Sequence, residues 1–375
     1  MIKLSDPILV TTSGHLEQIS NQLAKASLLA VDTESNSLHA FREQVCLIQF
    51  SVPDQDFLVD PLAIDDLSSL ERVFADPAGE KIFHAAEYDL LTLKRDYQFR
   101  FTNVFDTMVA ARILGRRRVG LGSLLESEFG IKLEKRFQRA DWGKRPLPKD
   151  MLTYARFDTH YLIRLRDKLK EELKIKDRWA IAQEDFQRAT DVGQHHAEPP
   201  RSDIWRMKGA DDFMPQQYAV LQALLDYRRK VAERLNRPLF KVFGDKTLVA
   251  IAEAMPRQVE HLWGLVGMTN RQIDRHGQEL LAVVQRGQAA PSPKRPPRHA
   301  RDEQKEDRYE SLRSWRKTHA RKINVESDVI LPRDVLLQLV EKELSSLSEV
   351  EDIMSSVPWR YAKYGTEIFK VLHTS

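Results

Sequence analysis

Leu28-Leu29-Ala30-Val31-Asp32-Thr33-Glu34 decides how this chain folds, because four apolar residues run directly into two carboxylates. With Val45-Cys46-Leu47-Ile48-Gln49-Phe50 close behind, the run predicts a buried central strand and its neighbour. Residues two apart on a strand project from one face, so Asp32 and Glu34 leave the strand end side by side. Adjacent carboxylates repel, and burial disfavours their charged forms, unless a cation sits between them. Alone, the pair reads more simply as an acidic loop after a strand.

Flanking segments extend the pattern. Ile8–Thr12 reads as a strand, Ser13–Ala26 as a helix, Asp56–Asp60 as a strand, Leu67–Ala75 as a helix, and Lys81–His84 as a short strand entering a helix near Glu87. Strands followed by mixed strands and helices predict an α/β domain with a mixed sheet. After Asp106 the chain reads as helical to its end.

With 375 residues, two or three domains are expected. A net charge of +3, 30% charged and 42% hydrophobic residues suit an ordinary soluble protein, basic only mildly. The single Cys46 lies inside an apolar strand pattern and reads as a core residue; no disulfide within the chain is available, which fits a reducing cytoplasm. No secretory leader and no membrane-length apolar run is read. Polar, proline-bearing stretches at 190–202 and 287–301 predict linkers. They divide the chain into residues 1–200, 211–290 and 303–375. The last two pieces are related: a fixed offset of 88 places Leu224, Tyr227, Arg228, Ala232 and Asn236 over Leu312, Trp315, Arg316, Ala320 and Asn324, and Gly277 over Gly365. This predicts a duplicated small helical domain.

Two further segments supply acids. In His84-Ala85-Ala86-Glu87-Tyr88-Asp89, Asp89 falls in the first turn of a helix, where the helix dipole favours a carboxylate by about 0.3–1 kcal/mol. Tyr154 and Asp158 are four apart and share a helix face. Each motif alone has an ordinary structural explanation. Gathered at one sheet edge, the four carboxylates are tolerable only around cations, and an all-oxygen set selects hard ions such as Mg²⁺ or Mn²⁺. Two such ions could clamp a phosphodiester, with a tyrosine hydroxyl orienting water.

The ordered set Val31-Asp32-Thr33-Glu34, His84-x4-Asp89 and Tyr154-x3-Asp158 resembles the DEDD exonuclease superfamily in its tyrosine subclass. Phe105-Asp106-Thr107, Gly120 to Leu125, and Phe137-Gln138-Arg139-Ala140-Asp141-Trp142 resemble the bacterial ribonuclease D family, and the repeats resemble its HRDC domains. The resemblance implies an RNase H-like mixed sheet followed by two all-α bundles, with metal ligation by Asp32, Glu34, Asp89 and Asp158, and water positioning by Tyr154. It further implies 3′→5′ removal of nucleotides from RNA, notably at transfer-RNA 3′ ends, by two metal ions. A 3′→5′ DNA exonuclease and a non-catalytic RNA-binding scaffold are the alternatives. One site per chain suffices, so a cytoplasmic monomer is expected. For RNA contacts, Arg136, Arg139, Lys144 and Arg145 flank the acids, and Arg228 and Arg316 recur in the two repeats. Phe137 and Trp142 stand among them, with core packing as their expected role.

Overall fold

Strand β1 (Ile8–Val10) leads through helix α1 (Ser13–Leu23) into β2 (Leu28–Ser35), which carries Asp32 and Glu34. The computed structural model describes residues 5–191, 193, 203–295 and 302–373. β3 (Val45–Val52), β4 (Gln55–Val59), α2 (Glu71–Ala75), β5 (Glu80–Phe83), α3 (Ala86–Tyr97) and β6 (Val104–Asp106) complete a six-stranded sheet in the order β1-β4-β3-β2-β5-β6. β2–β3 and β3–β4 pair antiparallel, and the other neighbours pair parallel, so the sheet is mixed as expected. β6 lies outside the sequence reading. Three residues give too short an alternation to register as a strand, and Asp106 at its end starts the next helix by accepting from Met108 N and Val109 N.

Five helices follow: α4 (Thr107–Ile113), α5 (Leu121–Phe129), α6 (Lys149–His160), α7 (Leu162–Ile175) and α8 (Trp179–Thr190). The period-two alternation of β2 sorts these helices onto two faces. Leu29 and Val31 pack with Ile48, Phe50, Phe57 and Val59 against α1, α2 and α3. Ala30, Ile82 and Phe105 pack against α4, α7 and α8, while Cys46, Leu47 and Leu58 pack against Met151 and Ala155 of α6. Cys46 is buried, as its sequence context requires.

The next four helices are α9 (Pro215–Arg234), α10 (Leu239–Val242), α11 (Asp245–Ala254) and α12 (Asn270–Ala289). The last five are α13 (Glu303–Ile323), α14 (Ser327–Ile330), α15 (Arg333–Glu341), α16 (Leu347–Ile353) and α17 (Pro358–His373). Most of the two predicted linkers, at 192, 194–202 and 296–301, lies outside the described residues; residues 287–289 still belong to α12.

Two compact units result, and they divide the chain differently from its composition. One holds residues 1–35, 45–195 and 300–375; the other holds residues 36–44 and 196–299. The last helical copy joins the α/β domain because Arg360 at the start of α17, with no exposed surface, pairs with Glu184 and Asp185 of α8 and donates to Val329 O. The loop 36–44 joins the other unit because Phe41 N donates to Asn236 Oδ1 (3.1 Å), while Arg229 lies over the Phe41 ring. Long-range pairings of this kind leave no periodic trace in sequence.

Candidate active site

Three acids meet at the end of β2. One carboxylate oxygen each from Asp32, Glu34 and Asp158 lies within 4.8 Å of the others. The register of β2 shifts between Glu34 and Ser35, immediately after the second acid, and such an irregularity re-aims side chains at a strand end. Asp32 and Glu34 follow Ala30 on the sheet face covered by α6, which brings Asp158 to them. Asp89 arrives from the opposite face, on the first turn of α3. There it is 6% exposed and accepts a hydrogen bond from the Thr33 hydroxyl. The strand end is thus straddled by two helices, each contributing an acid.

Supporting groups fix both helices. Asp106 accepts from the amides of Ala85 (3.1 Å) and Ala86 (2.8 Å), holding the turn that starts α3, where Ala85 takes a left-handed φ of 65°. A buried network pins α6. Arg156 pairs with Asp56; Asp56 also bonds the Ser51 hydroxyl (2.6 Å) and His160 Nδ1 (3.0 Å), and Ser51 bonds Thr159 (2.7 Å). Burial pushes the Asp56 carboxyl up, but the bonds from His160 and Ser51 and the nearby positive charges hold it below its ordinary value.

Without a cation the site is electrostatically strained. Asp32 is raised well above the usual carboxylate range by burial and then by Asp89, Asp158 and Glu34; Glu34 is raised by burial, Asp158 and Asp89. Burial brings Asp89 and Asp158 each to about 7. Tyr154 is raised by burial and by the charges of Asp158, Glu34 and Asp32, so its phenol keeps its proton. Four carboxylates that each resist ionisation, with only oxygen donors, fit a hard divalent cation. Gln49 supports the same fit. It lies opposite Asp32 in the β2–β3 register, fully buried, and neither polar atom of its amide has a protein partner.

A cavity of about 490 Å³ opens beside the acids, lined by Tyr154, Phe157, Asp158 and Tyr161, with Lys132 and Arg136 at its edge. A larger crevice of about 1130 Å³, between α4 and the α14–α15 corner, offers less chemistry. Its Arg112 and Arg188 are already paired with Glu326, Asp328 and Asp334.

Of the basic residues expected to meet RNA, three need correction. Arg145 binds inward, to Asp60 (2.6 and 2.7 Å), Cys46 O (2.7 Å) and Trp142 O (2.7 Å), and anchors its own loop to the sheet. Arg228, 3% exposed, donates to Phe243 O (3.0 Å) and Asp245 Oδ1 (2.6 Å). Arg316 makes the corresponding bond in the other copy, to Leu331 O (2.9 Å). Both repeats keep this arginine to tie their first helix to the chain after the second. Arg136, Arg139 and Lys144 stay at the surface; Arg136 lies 3.4 Å from Asp150. Trp142 is 1% exposed, and its ring packs, like that of Phe137, against Tyr154 at centroid distances of 6.2 and 5.6 Å. The aromatic pair seats the tyrosine. The sequence assigns no individual role to Thr33, Gln49, Asp56 or Asp106. Only Asp106 carried a local signal, an Asp before an apolar helix start.

Comparison with known proteins agrees with this geometry. Residues 7–174 match the family model described as 3′-5′ exonuclease, and residues 217–284 and 305–372 each match the HRDC domain. Protein RRP6-like 3 of Arabidopsis thaliana is 42% identical over 175 residues, covering 46% of this chain and 20% of that protein. Exosome complex component 10 of Rattus norvegicus is 31% identical over 75% of this chain and 33% of its own length. The chain therefore spans a third or less of these curated relatives. The crystal structure of Escherichia coli RNase D, described as an exoribonuclease involved in structured RNA processing, shares the fold, with a TM-score of 0.68 at 24% identity over 99% of both chains. Among the described residues no helix is long and apolar enough to cross a membrane. The α/β domain is thus one that matches the 3′-5′ exonuclease family, with an acid cluster at the end of its β2, followed by two segments that match the HRDC domain.

Proposed function

We propose that this chain is a metal-dependent 3′→5′ exoribonuclease that releases nucleoside 5′-monophosphates from RNA 3′ ends, those of transfer-RNA precursors among them. The observation that carries the reading is the meeting of Asp32, Glu34 and Asp158 within 4.8 Å, with Asp89 held beside them through Thr33. Asp32, Glu34, Asp89 and Asp158 would hold two divalent ions, Mg²⁺ or Mn²⁺. Bound there, such ions supply Lewis-acid activation of water and charge stabilisation at a scissile phosphate.

The chain's own groups do the rest. Tyr154, kept protonated by burial and then by the surrounding carboxylates, and wedged by Phe137 and Trp142, presents a hydroxyl that orients the attacking water. The cavity over Phe157 and Tyr161 receives the chain end, and Arg136, Arg139 and Lys144 offset the repulsion between the acids and the phosphate backbone. The acid set is complete within one chain, and its single cysteine is buried, which supports a cytoplasmic monomer.

A time course on a 3′-extended transfer-RNA precursor with Mg²⁺, beside a chelator control, tests the reading. Stepwise shortening from the 3′ end that stops on chelation is the expected result. Faster degradation of a matched DNA strand would make this a DNA exonuclease. Binding of RNA with no shortening under any divalent ion would make it a scaffold.

A further inference from the structure

The middle of β3 carries a carboxamide that core packing does not account for. Gln49 is fully buried, and its chain neighbours Ile48 and Phe50 point to the opposite face, against α1, α2 and α3. Its own face is the one covered by α6. Among the buried side chains of the described residues, Gln49 alone leaves both a donor and an acceptor unmet. A buried polar group without a partner is costly, which is why protein interiors hold so few of them.

Leu47, two residues before Gln49, and Leu58, its partner in β4, are apolar and pack with Met151 and Ala155 of α6. Ser51, two residues after it, has its hydroxyl committed to Asp56 (2.6 Å) and Thr159 (2.7 Å). Asp32, directly opposite in β2, is the polar neighbour that remains in the sheet. Cross-strand partners stand about 4.5–5.5 Å apart at Cβ, so a turn of the Gln49 side chain brings its amide within bonding reach of the Asp32 carboxylate. A carboxamide offers two N–H donors, and an ionised carboxylate only accepts. The two strand-end acids also differ in support. Asp89 accepts from the Thr33 hydroxyl, whereas Asp32 has the backbone amide of Thr33 and, among the described residues, no side-chain donor.

We propose that Gln49 is a positioning residue of the metal centre, whose Nε2 donates to the Asp32 carboxylate once that group is ionised to hold a divalent ion. The inference rests on the reading that the clustered acids bind such ions. A ligating carboxylate keeps lone pairs to spare, and a donor placed on them fixes its orientation and favours its charged form. The bond exchanges an unsatisfied amide for a charge-assisted hydrogen bond. Gln49 therefore weakens the metal-free fold and strengthens ion binding, two opposite effects that a residue present only for packing does not combine.

The test uses the full chain with Gln49→Met, which keeps the length of the side chain, and Gln49→Leu, which deletes the amide with a different shape. Urea unfolding in chelator should place the midpoint of Gln49→Met at or above that of wild type. Isothermal titration calorimetry with Mn²⁺, in the absence of RNA, should show affinity weakened by about 10–100-fold in both variants. The Mn²⁺ concentration for half-maximal RNA shortening should rise in step. Unchanged Mn²⁺ affinity in either variant would overturn the proposal, because a loss confined to one shape belongs to packing. So would a lower urea midpoint for Gln49→Met in chelator, the mark of an amide already bonded within the metal-free fold. A wild-type chain that binds no divalent ion would overturn both this role and the metal-centre reading beneath it. Weakened Mn²⁺ binding in both variants of a chain that shortens no RNA would support the role of Gln49 and refute the exoribonuclease reading alone.

Discussion

Replacing Asp89 by Asn should stabilise the metal-free protein while abolishing hydrolysis. In the fold, Asp89 is 6% exposed and its pKa is raised from 3.8 to about 7, chiefly by burial. The folded state therefore holds a proton that the unfolded chain gives up at lower pH. Below 3.8 both states are protonated and Asp89 contributes nothing to the balance. As pH rises from there through 7, the unfolded state ionises first and the fold loses stability relative to a neutral side chain. At about 1.36 kcal/mol for each step of one in pKa, the loss at pH 8 has a ceiling of ~4 kcal/mol. Asp32 and Glu34 share that repulsion and relax when Asp89 is neutral, so a measured gain of about 1–3 kcal/mol is expected. Asn keeps an oxygen for the Thr33 hydroxyl, so that hydrogen bond survives the substitution. The assay is urea unfolding in chelator at pH 4 and pH 8, wild type against Asp89→Asn. The variant should gain at pH 8 and little at pH 4. Saturating Mg²⁺ should reverse the order, because a bound ion stabilises only the state that holds it. An Asn variant no more stable than wild type at pH 8, or one whose gain is equal at both pH values, refutes the electrostatic reasoning.

Asp32→Asn should eliminate RNA shortening even at saturating Mg²⁺; near-wild-type turnover would dissolve the metal-site assignment. Tyr154→Phe should lower kcat by roughly 10²-fold or more with little change in RNA affinity measured in chelator. A selective loss of affinity would instead make the hydroxyl a substrate contact. Arg156→Ala, which strands the buried Asp56, should cost about 3–5 kcal/mol in urea unfolding; a loss under about 1 kcal/mol would mean that packing alone holds α6 in place. Arg228→Ala should likewise destabilise the protein by about 2–3 kcal/mol, and weaker RNA binding at undiminished stability would restore it as a contact.

Much of the site was legible because its chemistry sits on regular elements. Four apolar residues followed by D-x-E identify a core strand ending at a charged edge, and the i,i+4 spacing of Tyr154 and Asp158 survives in α6. The β3 strand falls on Val45–Val52, where an apolar run interrupted only by Gln49 and Ser51 reads as burial on both faces. What escaped was everything decided by distant partners. Charge alone does not tell a guanidinium facing solvent from one facing a carbonyl, and Arg145, Arg228 and Arg316 all turn inward. Recurrence of Arg228 as Arg316 pointed to a shared duty, yet that duty is to brace the bundle. Likewise β6 and the bond from Thr33 to Asp89 depend on neighbours that only the folded sheet supplies.

The clasp between Arg360 and Glu184 changes what a shortened enzyme would mean. Ending the chain near residue 300 looks like the removal of an accessory module. It would also take the counter-ion from a carboxylate only 8% exposed and strip Val329 and Trp359 from the aromatic wall around Phe105. A stump of that kind would fail on every RNA alike, short or structured, through a wounded catalytic core. Substitutions on the surface of the intact molecule are the safer way to ask what each bundle does.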